Sequence, residues 1–362
     1  MPNRSQIQAR SAAMRLRFEA AGARVVDPPL LQPAETLLDL YGEDIRARAY
    51  VTSDALRGEQ MLRPDFTLPV VQMHMNEGAE PARYTYSGEV FRRQEHDPDR
   101  ANEYIQVGYE VFDRDDPAGA DAEVFSLFAM QLRGLPLRAA TGDIGILTAA
   151  VQGLRTTDRR KAALMRHLWR PRRFRTLLDR FAGRKPEPEH RAGLLDAKDP
   201  MAYEMPMVGK RRPSEIEARI EALREDRETP PISDTELAGL ESLLAVRETM
   251  PFALEQLRDV AVDLPQITPA LDRLERRIAA LQARGVDVEK LDFEAAYGRT
   301  SMEYYDGFVF GFYAEGRPDL PPIATGGRYD ALTRQLGKGA EIPAVGGVLR
   351  PDLMLEIEGV AS

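Results

Sequence analysis

"RYTYSGEVFRRQEHDPDRANEYIQVGYEVFD", residues 83–113, decides the fold of this chain. Two runs rich in aromatic and β-branched residues are joined by a charged segment at 94–102, which predicts a β-hairpin with two long strands. In the second strand Gln106, Gly108 and Glu110 recur at every second position, so they share one face of the sheet. An amide and a carboxylate between apolar neighbours suit the floor of a polar pocket better than a hydrophobic core.

Two more polar clusters lie close to the hairpin in the sequence. "LRPDFT" (62–67) follows a short strand pattern and places Asp65 and Thr67 in a turn before a helix that begins near Thr67. In "FRRQEH" (91–96), Arg92 ends the first hairpin strand, and its guanidinium suits a carboxylate or phosphate. Each cluster also has an ordinary interpretation, because Asp65 or Thr67 can cap a helix and Arg92 can be a surface residue.

The stretch "YGRTSMEYYDGFVFGFYAEG", residues 297–316, combines a strand pattern with polar groups. Its phenylalanines at 308, 310 and 312 alternate with other residues, which predicts a strand. Glu303, Tyr304 and Tyr305 come just before it, and a structural strand has no need of a carboxylate beside two phenols. A pocket for a small zwitterion does, since the acid can hold an ammonium or imidazole and the hydroxyls fix its orientation.

Around these stretches the pattern changes once along the chain. Strands and helices alternate up to about residue 150, whereas charged helical patterns punctuated by proline fill 150–285. Strand signals resume near 288, and a turn is predicted at "ATGGRYDAL" (324–332), where Arg328 offers another cation. We therefore predict a helical domain inserted into a mixed domain. Its segments are a first part of the core at 1–150, the helical insertion at 151–287 and a second part of the core at 288–362.

Composition excludes several classes of function. The chain has 362 residues and no cysteine, which rules out disulfides, thiol nucleophiles and zinc–thiolate sites. Its four histidines do not pair at metal-ligand spacing, so we expect no metal site and no cofactor. No apolar run has the length of a membrane helix. A net charge of −9 does not favour a general nucleic-acid binder and suits a cytoplasmic protein that handles small molecules or protein partners.

Taken together and in this order, "LRPDFT", the hairpin at 83–113, "EYYDGFVFGFY" and "GGRYD" resemble histidyl-tRNA synthetase, a class II synthetase. The resemblance covers roughly 1–150 and 288–355. It implies an α+β fold, in which an antiparallel sheet is flanked by helices and the helical domain is inserted. Pro29 would be the proline of motif 1, through which the family dimerises, and Phe91–Arg92 would begin motif 2. The resemblance does not extend to the family's anticodon-binding domain, so we expect this domain to be missing.

Departures from the family pattern fall on charged residues of its catalytic motifs. The family reads R-G-L-D-Y-Y where this chain has Thr300 in the arginine position, and Arg299 is displaced by one residue, which turns its side chain to the other face of an extended segment. Leu353 stands at the motif 3 arginine, while Gln94 and Asn102 replace a glutamate and an arginine in motif 2. Each lost contact costs about 10²–10³ in rate, so we expect no aminoacylation.

What the resemblance leaves intact is a set of residues that holds histidine in the family. A histidine pocket without catalysis resembles the regulatory subunit of ATP phosphoribosyltransferase, which implies a non-catalytic subunit of a glycosyltransferase complex. The implied partners are a short-form ATP phosphoribosyltransferase catalytic subunit and L-histidine as effector, in a hetero-oligomer built on a homodimer, with no membrane partner. The histidine-binding residues that the resemblance implies are Asp65, Thr67, Arg92, Gln106, Glu110, Tyr304 and Tyr305.

Two other functions stay open from the sequence. A divergent ATP-dependent ligase would need cations at both ends of ATP, which Thr300 and Leu353 argue against. An RNA-binding module could use the basic stretch 155–185, in which Trp169 and Phe174 are interleaved with arginines. A solvated helix face or a contact for an acidic partner explains the same stretch.

Overall fold

The hairpin predicted at 83–113 is present in the protein's computed structural model, which describes residues 2–41, 45–94, 100–202, 209, 211–299 and 304–361. Its strands run over Ala82–Phe91 and Glu103–Phe112, with Tyr84 opposite Glu110 and Gly88 opposite Gln106. Alternation of small or polar residues with apolar residues gives the second strand two different faces.

The two hairpin strands belong to a large β-sheet. Within the described residues it contains nine strands in the order β1-β5-β6-β12-β11-β10-β7-β9-β8, and a separate small sheet has the order β2-β4-β3. All neighbours in the large sheet are antiparallel except the β1–β5 and β7–β9 pairs. The strands are β1 (Arg24–Val25), β2 (Leu31–Pro33), β3 (Val51–Asp54), β4 (Gly58–Leu62), β5 (Ala82–Phe91), β6 (Glu103–Phe112), β7 (Leu137–Asp143), β8 (Arg247–Thr249), β9 (Asp292–Glu294), β10 (Phe308–Ala314), β11 (Ala324–Arg328) and β12 (Ala344–Leu349).

Helices flank this sheet and fill the middle of the chain. Two short 3-10 turns, at Pro265–Ile267 and Val288–Lys290, accompany them. The α-helices are α1 (Arg4–Ala20), α2 (Ala34–Tyr41), α3 (Ile45–Arg48), α4 (Thr67–Glu77), α5 (Pro117–Gln131), α6 (Ile144–Gln152), α7 (Asp158–Arg166), α8 (Pro171–Phe181), α9 (Glu189–Asp196), α10 (Pro213–Glu228), α11 (Asp234–Ala245), α12 (Met250–Asp263), α13 (Thr268–Ala283), α14 (Asp330–Leu336) and α15 (Pro351–Ala361).

One face of the large sheet, which we call the back face, packs against α1 and α5. The ring of Phe18 in α1 lies 5.0 Å from that of Tyr109, and Phe125 in α5 contacts the alternating phenylalanines of β10. These side chains form part of the buried core. Because alternate residues of a strand point to opposite faces, the residues between them, including Glu110, lie on the other face, which we call the front face.

The middle segment of the chain does not stay apart from the sheet. Strand β8 pairs with β9 at the sheet edge, and Arg277 in α13 donates to Asp121 in α5. Helices α7 to α11 precede these elements and carry their own buried residues, such as Leu164, Phe174 and Leu178. The division at 151 and 287 stays a prediction, and β8 and α13, both inside that middle segment, contact the core.

The prediction of a turn at 324–332 is wrong. Residues Ala324–Arg328 form the central strand β11, and α14 begins at Asp330. The glycine pair permits close packing rather than chain reversal, because a Cβ on Gly326 would lie 2.3 Å from the Phe310 ring. The suggestion that Arg328 offers a cation to the pocket is also wrong: it lies on the back face and pairs with Asp121 at 2.6 Å.

Candidate functional site

A glycine-lined groove crosses the front face of the sheet. The register aligns Glu110 of β6 with Gly346 of β12, and Gly346 with Gly327 of β11. A Cβ on Gly346 would overlap a carboxylate oxygen of Glu110, and one on Gly327 would lie 2.7 Å from the Tyr305 ring. Glycine is therefore required at both positions, since any larger residue would fill the space that the two functional side chains occupy.

Glu110 lies at the centre of the groove and is fully buried. Its Oε1 accepts hydrogen bonds from Tyr86 Oη at 2.7 Å and Thr67 Oγ1 at 3.1 Å, and its Oε2 accepts one from Tyr329 Oη at 2.5 Å. Burial raises the pKa of Glu110 to about 7, although the three hydroxyl groups favour the ionised form. No described Lys or Arg forms an ion pair with it, so its charge lacks a partner within the described part of the chain.

Gln106 lies on the same face, two register positions along β6. Its side chain is fully buried, and neither its amide nitrogen nor its amide oxygen has a hydrogen-bond partner among the described residues. A buried polar group without a partner costs about 1–3 kcal/mol. The groove therefore presents one donor and one acceptor that suit a polar ligand.

Tyr304 and Tyr305 cover this groove. Tyr305 is buried over Gly327, and its ring centroid lies 4.8 Å from that of Tyr304 in an edge-on arrangement. The Tyr304 ring lies 6.2 Å from Tyr329, which donates to Glu110. Burial raises the pKa of Tyr305, so its phenol keeps its proton at neutral pH. The predicted acid Glu303 lies outside the described residues.

Asp65 lies in the turn between β4 and α4, and Arg92 directly follows β5. Asp65 is buried, and its Oδ1 accepts a hydrogen bond from the backbone nitrogen of Leu68 at 3.3 Å, so the helix-cap interpretation holds as well. The negative charge of Asp65 adds to the rise in the pKa of Glu110. Arg92 Nε donates to the backbone oxygen of Pro64 at 2.7 Å. The groove thus brings together all seven residues proposed from the sequence.

Sequence reasoning missed two tyrosines of this site. Tyr86 lies opposite Gly108 in the hairpin, and its ring occupies the space that a Cβ on Gly108 would need. The alternation around Tyr86 in β5 could have identified it, since it faces the same side as Glu110. Tyr329 lies between β11 and α14, where no periodic pattern indicates the direction of a side chain.

The described residues at or near the family's catalytic positions make contacts within this chain. Arg299 is buried against the middle segment, where its Nε donates to the backbone oxygen of Leu168 at 2.9 Å and its guanidinium lies 4.8 Å from the Phe174 ring. The stretch Thr300–Glu303 lies outside the described residues. In motif 2, the backbone nitrogen of Gln94 donates to Asn102 Oδ1 at 3.0 Å, so these two residues bind each other across the loop.

The motif 3 region offers one arginine, which is held close to the sheet. Leu353 is half-buried and packs against the core. Arg350 lies over the Tyr104 ring at 5.6 Å, and burial lowers its pKa. Over the described ranges there is no group of three acidic or histidine side chains able to hold a metal ion, and no helix there is long and apolar enough to cross a bilayer.

Comparison with known proteins identifies the family of this chain. The histidyl-tRNA synthetase family profile matches residues 2–228 and 217–353. The ATP phosphoribosyltransferase regulatory subunit of Agrobacterium fabrum is 33% identical, over 94% of this chain and 95% of that protein. The same subunit of Allorhizobium ampelinum is 32% identical over 91% and 92%, respectively.

The chain belongs to the ATP phosphoribosyltransferase regulatory subunit family. Its fold is that of the class II synthetases, as shown by a solved "ATP phosphoribosyltransferase regulatory subunit/histidyl-tRNA synthetase" from Bacillus halodurans. That structure has a TM-score of 0.67 and 21% identity, and the match covers 98% of this chain and 79% of the other. The predicted fold class is confirmed. Membership of a family named for regulatory subunits supports a non-catalytic role.

Proposed function

We propose that this protein is a non-catalytic regulatory subunit of ATP phosphoribosyltransferase that binds L-histidine in the groove of the front face. One observation carries the ligand assignment: Gln106 is buried with both amide atoms unpartnered, beside a buried carboxylate that lacks a counter-cation among the described residues. A ligand with several polar groups and a basic centre would satisfy both. Histidine has an ammonium, an imidazole and a carboxylate.

The charge of each residue determines which group of histidine it would bind. Glu110 and Asp65 would hold the imidazole and the ammonium, because carboxylates accept hydrogen bonds from N–H groups. Gln106 would supply one donor and one acceptor, and the phenol of Tyr305 would donate a further hydrogen bond. Arg92 lies near enough to influence the pKa of Tyr305 and would bind the histidine carboxylate from the rim.

Loss of catalysis is the second part of this proposal. Arg299 Nε is bound to the backbone of the middle segment, and the Asn102 side chain accepts a hydrogen bond from the backbone of Gln94. Gln94 and Asn102 also carry no charge that could stabilise a phosphoryl or carboxylate transition state. These features favour a sensor over an ATP-dependent ligase. They support the view that histidine would be bound here without being activated.

Regulation requires a partner that carries out the chemistry. We propose a short-form catalytic subunit of ATP phosphoribosyltransferase, with histidine binding better to the inhibited state of the complex than to the active state. Only such a difference in affinity can shift the equilibrium.

A homodimer through the motif 1 region would form the base of this assembly. Val25 of β1 and Leu31 of β2 are exposed apolar residues in this part of the chain, as are Leu30 and Val51. Strand β1 also forms an edge of the large sheet, and edges with apolar side chains favour pairing with another chain.

Calorimetric titration of the purified chain with L-histidine tests the ligand assignment. We expect saturable binding at one site per chain and a loss of about 100-fold in affinity for Glu110→Gln, because a hydrogen bond to a charged group contributes about 1.5–3 kcal/mol. Glu89→Gln is the matched control, since Glu89 lies in the hairpin but pairs with Arg4 at the surface. Equal affinity of both variants would contradict the site.

An activity assay separates the regulatory role from histidine binding. The catalytic subunit should be active only with this chain present, and histidine should inhibit the complex unless the chain carries Glu110→Gln. The isolated chain should show no histidine-dependent exchange between ATP and pyrophosphate. Such exchange would instead identify a ligase.

A further inference from the structure

A second polar cavity lies far from the groove, between helices α7, α8, α9 and α10. Its main chamber measures about 330 Å³ and adjoins a second chamber of about 240 Å³. Both chambers are lined by Arg160, Arg180, Phe181, Arg191 and Asp226. The volume is in the range of cavities that bind small molecules.

Part of the charge in this cavity is compensated internally. Asp226 Oδ1 accepts a hydrogen bond from Arg160 Nε at 2.6 Å, and its Oδ2 accepts one from Arg191 Nη2 at 2.6 Å. The remaining donors of Arg160 bind backbone oxygens of α10 and the residues after it, including Pro230 at 2.8 Å. Asp226 and these two arginines therefore form a wall whose charges compensate each other, and Arg191 also pairs with Glu187 at 3.0 Å.

Arg180 adds a positive charge that this wall does not compensate. Its guanidinium has no ion pair or hydrogen bond among the described residues, and its Nε is buried without a partner. It is held over the Phe181 ring at 5.3 Å, while Arg160 contacts the same ring at 5.0 Å. Burial and the neighbouring arginines lower the pKa of Arg180, although the charge of Asp226 acts in the opposite direction.

The rim increases this excess of positive charge. Arg159 and Arg219 also line the main chamber, so five arginines and one carboxylate, that of Asp226, line it among the described residues. Arg159 also pairs with Glu225 at 3.8 Å, so the excess of positive charge lies on Arg180 and Arg219. Arg219 is exposed at the mouth.

We propose that this cavity binds a small phosphate-bearing anion, with Arg180 as its principal contact and Arg219 as a contact at the rim. Guanidinium groups form paired hydrogen bonds with phosphate oxygens, and a multiply charged anion would balance the excess of arginines. The concave shape favours a free small molecule over a nucleic-acid duplex, which presents its phosphates on a ridge. Much of the remaining basic stretch is already paired, for example Arg175 and Arg184 with Glu241.

The site is tested by titrating the full chain with inorganic pyrophosphate and measuring the binding by calorimetry and ³¹P NMR. We expect one saturable site, a loss of at least about tenfold in affinity for Arg180→Gln, and a smaller loss for Arg219→Gln. Arg184→Gln is the matched control, because Arg184 lies just after α8 but outside the cavity, in an exposed ion pair. Its affinity for pyrophosphate should stay within about twofold of the native chain.

Several outcomes would overturn this assignment. Absence of saturable pyrophosphate binding by the native chain would do so, as would equal affinity for the native chain and Arg180→Gln. Arg219 is exposed, so Arg219→Gln should keep the thermal unfolding of the native chain even if Arg180→Gln unfolds. In that case, unchanged affinity in Arg219→Gln would reject the proposal. A stem-loop RNA that displaces pyrophosphate and binds more tightly would assign the cavity to nucleic acid.

Discussion

The two faces of the large sheet both bury charged side chains, but they treat them in opposite ways. On the back face, Arg277 binds Asp121 at 2.7 Å and Asp143 at 2.8 Å, and Asp121 also binds Arg328 at 2.6 Å. Each of these four charges has a partner of opposite sign. On the front face, Glu110 has only hydroxyl partners within the described residues, and Gln106 has none there.

This difference distinguishes structural polarity from functional polarity. A buried ion network contributes to folding only when its members satisfy each other, because desolvation of each charge is costly. The back face meets that condition within the described part of the chain. The front face does not, and the protein keeps a costly arrangement that a ligand would complete. Unsatisfied buried groups are therefore a better guide to the site than charge alone.

Breaking the back-face network should have the largest effect. Asp121→Asn leaves Arg277 and Arg328 with one carboxylate fewer in a dry environment. We expect the free energy of unfolding to fall by about 3–5 kcal/mol, measured by urea denaturation. Asp272→Asn is the control, because Asp272 pairs with Arg258 at the surface and should cost under about 1 kcal/mol. Similar losses in both variants would contradict the large contribution of the buried back-face network to folding.

The buried carboxylate of Glu110 on the front face should make the stability of the native chain depend on pH. Because burial raises the pKa of Glu110 to about 7, the folded chain holds a proton on Glu110 that the unfolded chain releases near pH 4.5. Stability from this group is therefore lost as the pH rises from about 4.5 to about 7. Glu110→Gln should be more stable than the native chain by on the order of 3 kcal/mol at pH 7.5, and by much less at pH 4.5.

Denaturation of both proteins at the two pH values measures this difference. A control with Glu89→Gln, whose carboxylate pairs at the surface, should follow the native chain at each pH. The free energy of unfolding of Glu110→Gln could differ from that of the native chain by the same amount at both pH values. This result would show that Glu110 is ionised at both.

Histidine binding should respond to pH on both sides of neutrality. In the proposed complex Glu110 and the imidazole share one proton, so affinity falls when both groups are protonated and when both are deprotonated. With Glu110 titrating at about 7 and imidazole near 6.5, we expect affinity to be roughly tenfold lower at pH 5 than at pH 7. Calorimetry across this range measures it, and a monotonic profile would argue against an imidazole on Glu110.

The smallest effect on stability should come from Gln106→Leu. Replacing an unpartnered amide by an apolar group of similar size should leave unfolding unchanged or stabilise the chain by about 1 kcal/mol. Histidine affinity should nevertheless fall about tenfold, because two ligand contacts are lost. Thermal unfolding and calorimetry on one preparation test both parts, and a strongly destabilised variant would mean that Gln106 has a structural partner.

The sequence predicted the front face better than the back face. Period-two spacing at 106, 108 and 110 was enough to place Gln106 and Glu110 together, because strand geometry fixes side-chain direction. It could not predict the pairing of Arg328 with Asp121, since these residues are 207 positions apart and meet only through packing of α5 on β11. The same limit explains why "GGRYD" was misassigned as a turn: its glycines reflect tertiary contact with Phe310.

The back-face network also joins parts of the chain that are distant in sequence. Through Arg277, α13 is bound to α5 and to the end of β7, and through Arg328 the same aspartate reaches β11. These elements should therefore form one cooperative unit, whose backbone amides exchange with solvent only on global unfolding. Helices α7 to α10 share none of these bonds, so we expect their backbone amides to exchange at lower free energy than those of the sheet. The cavity around Arg180 would then admit a ligand while the sheet stays closed.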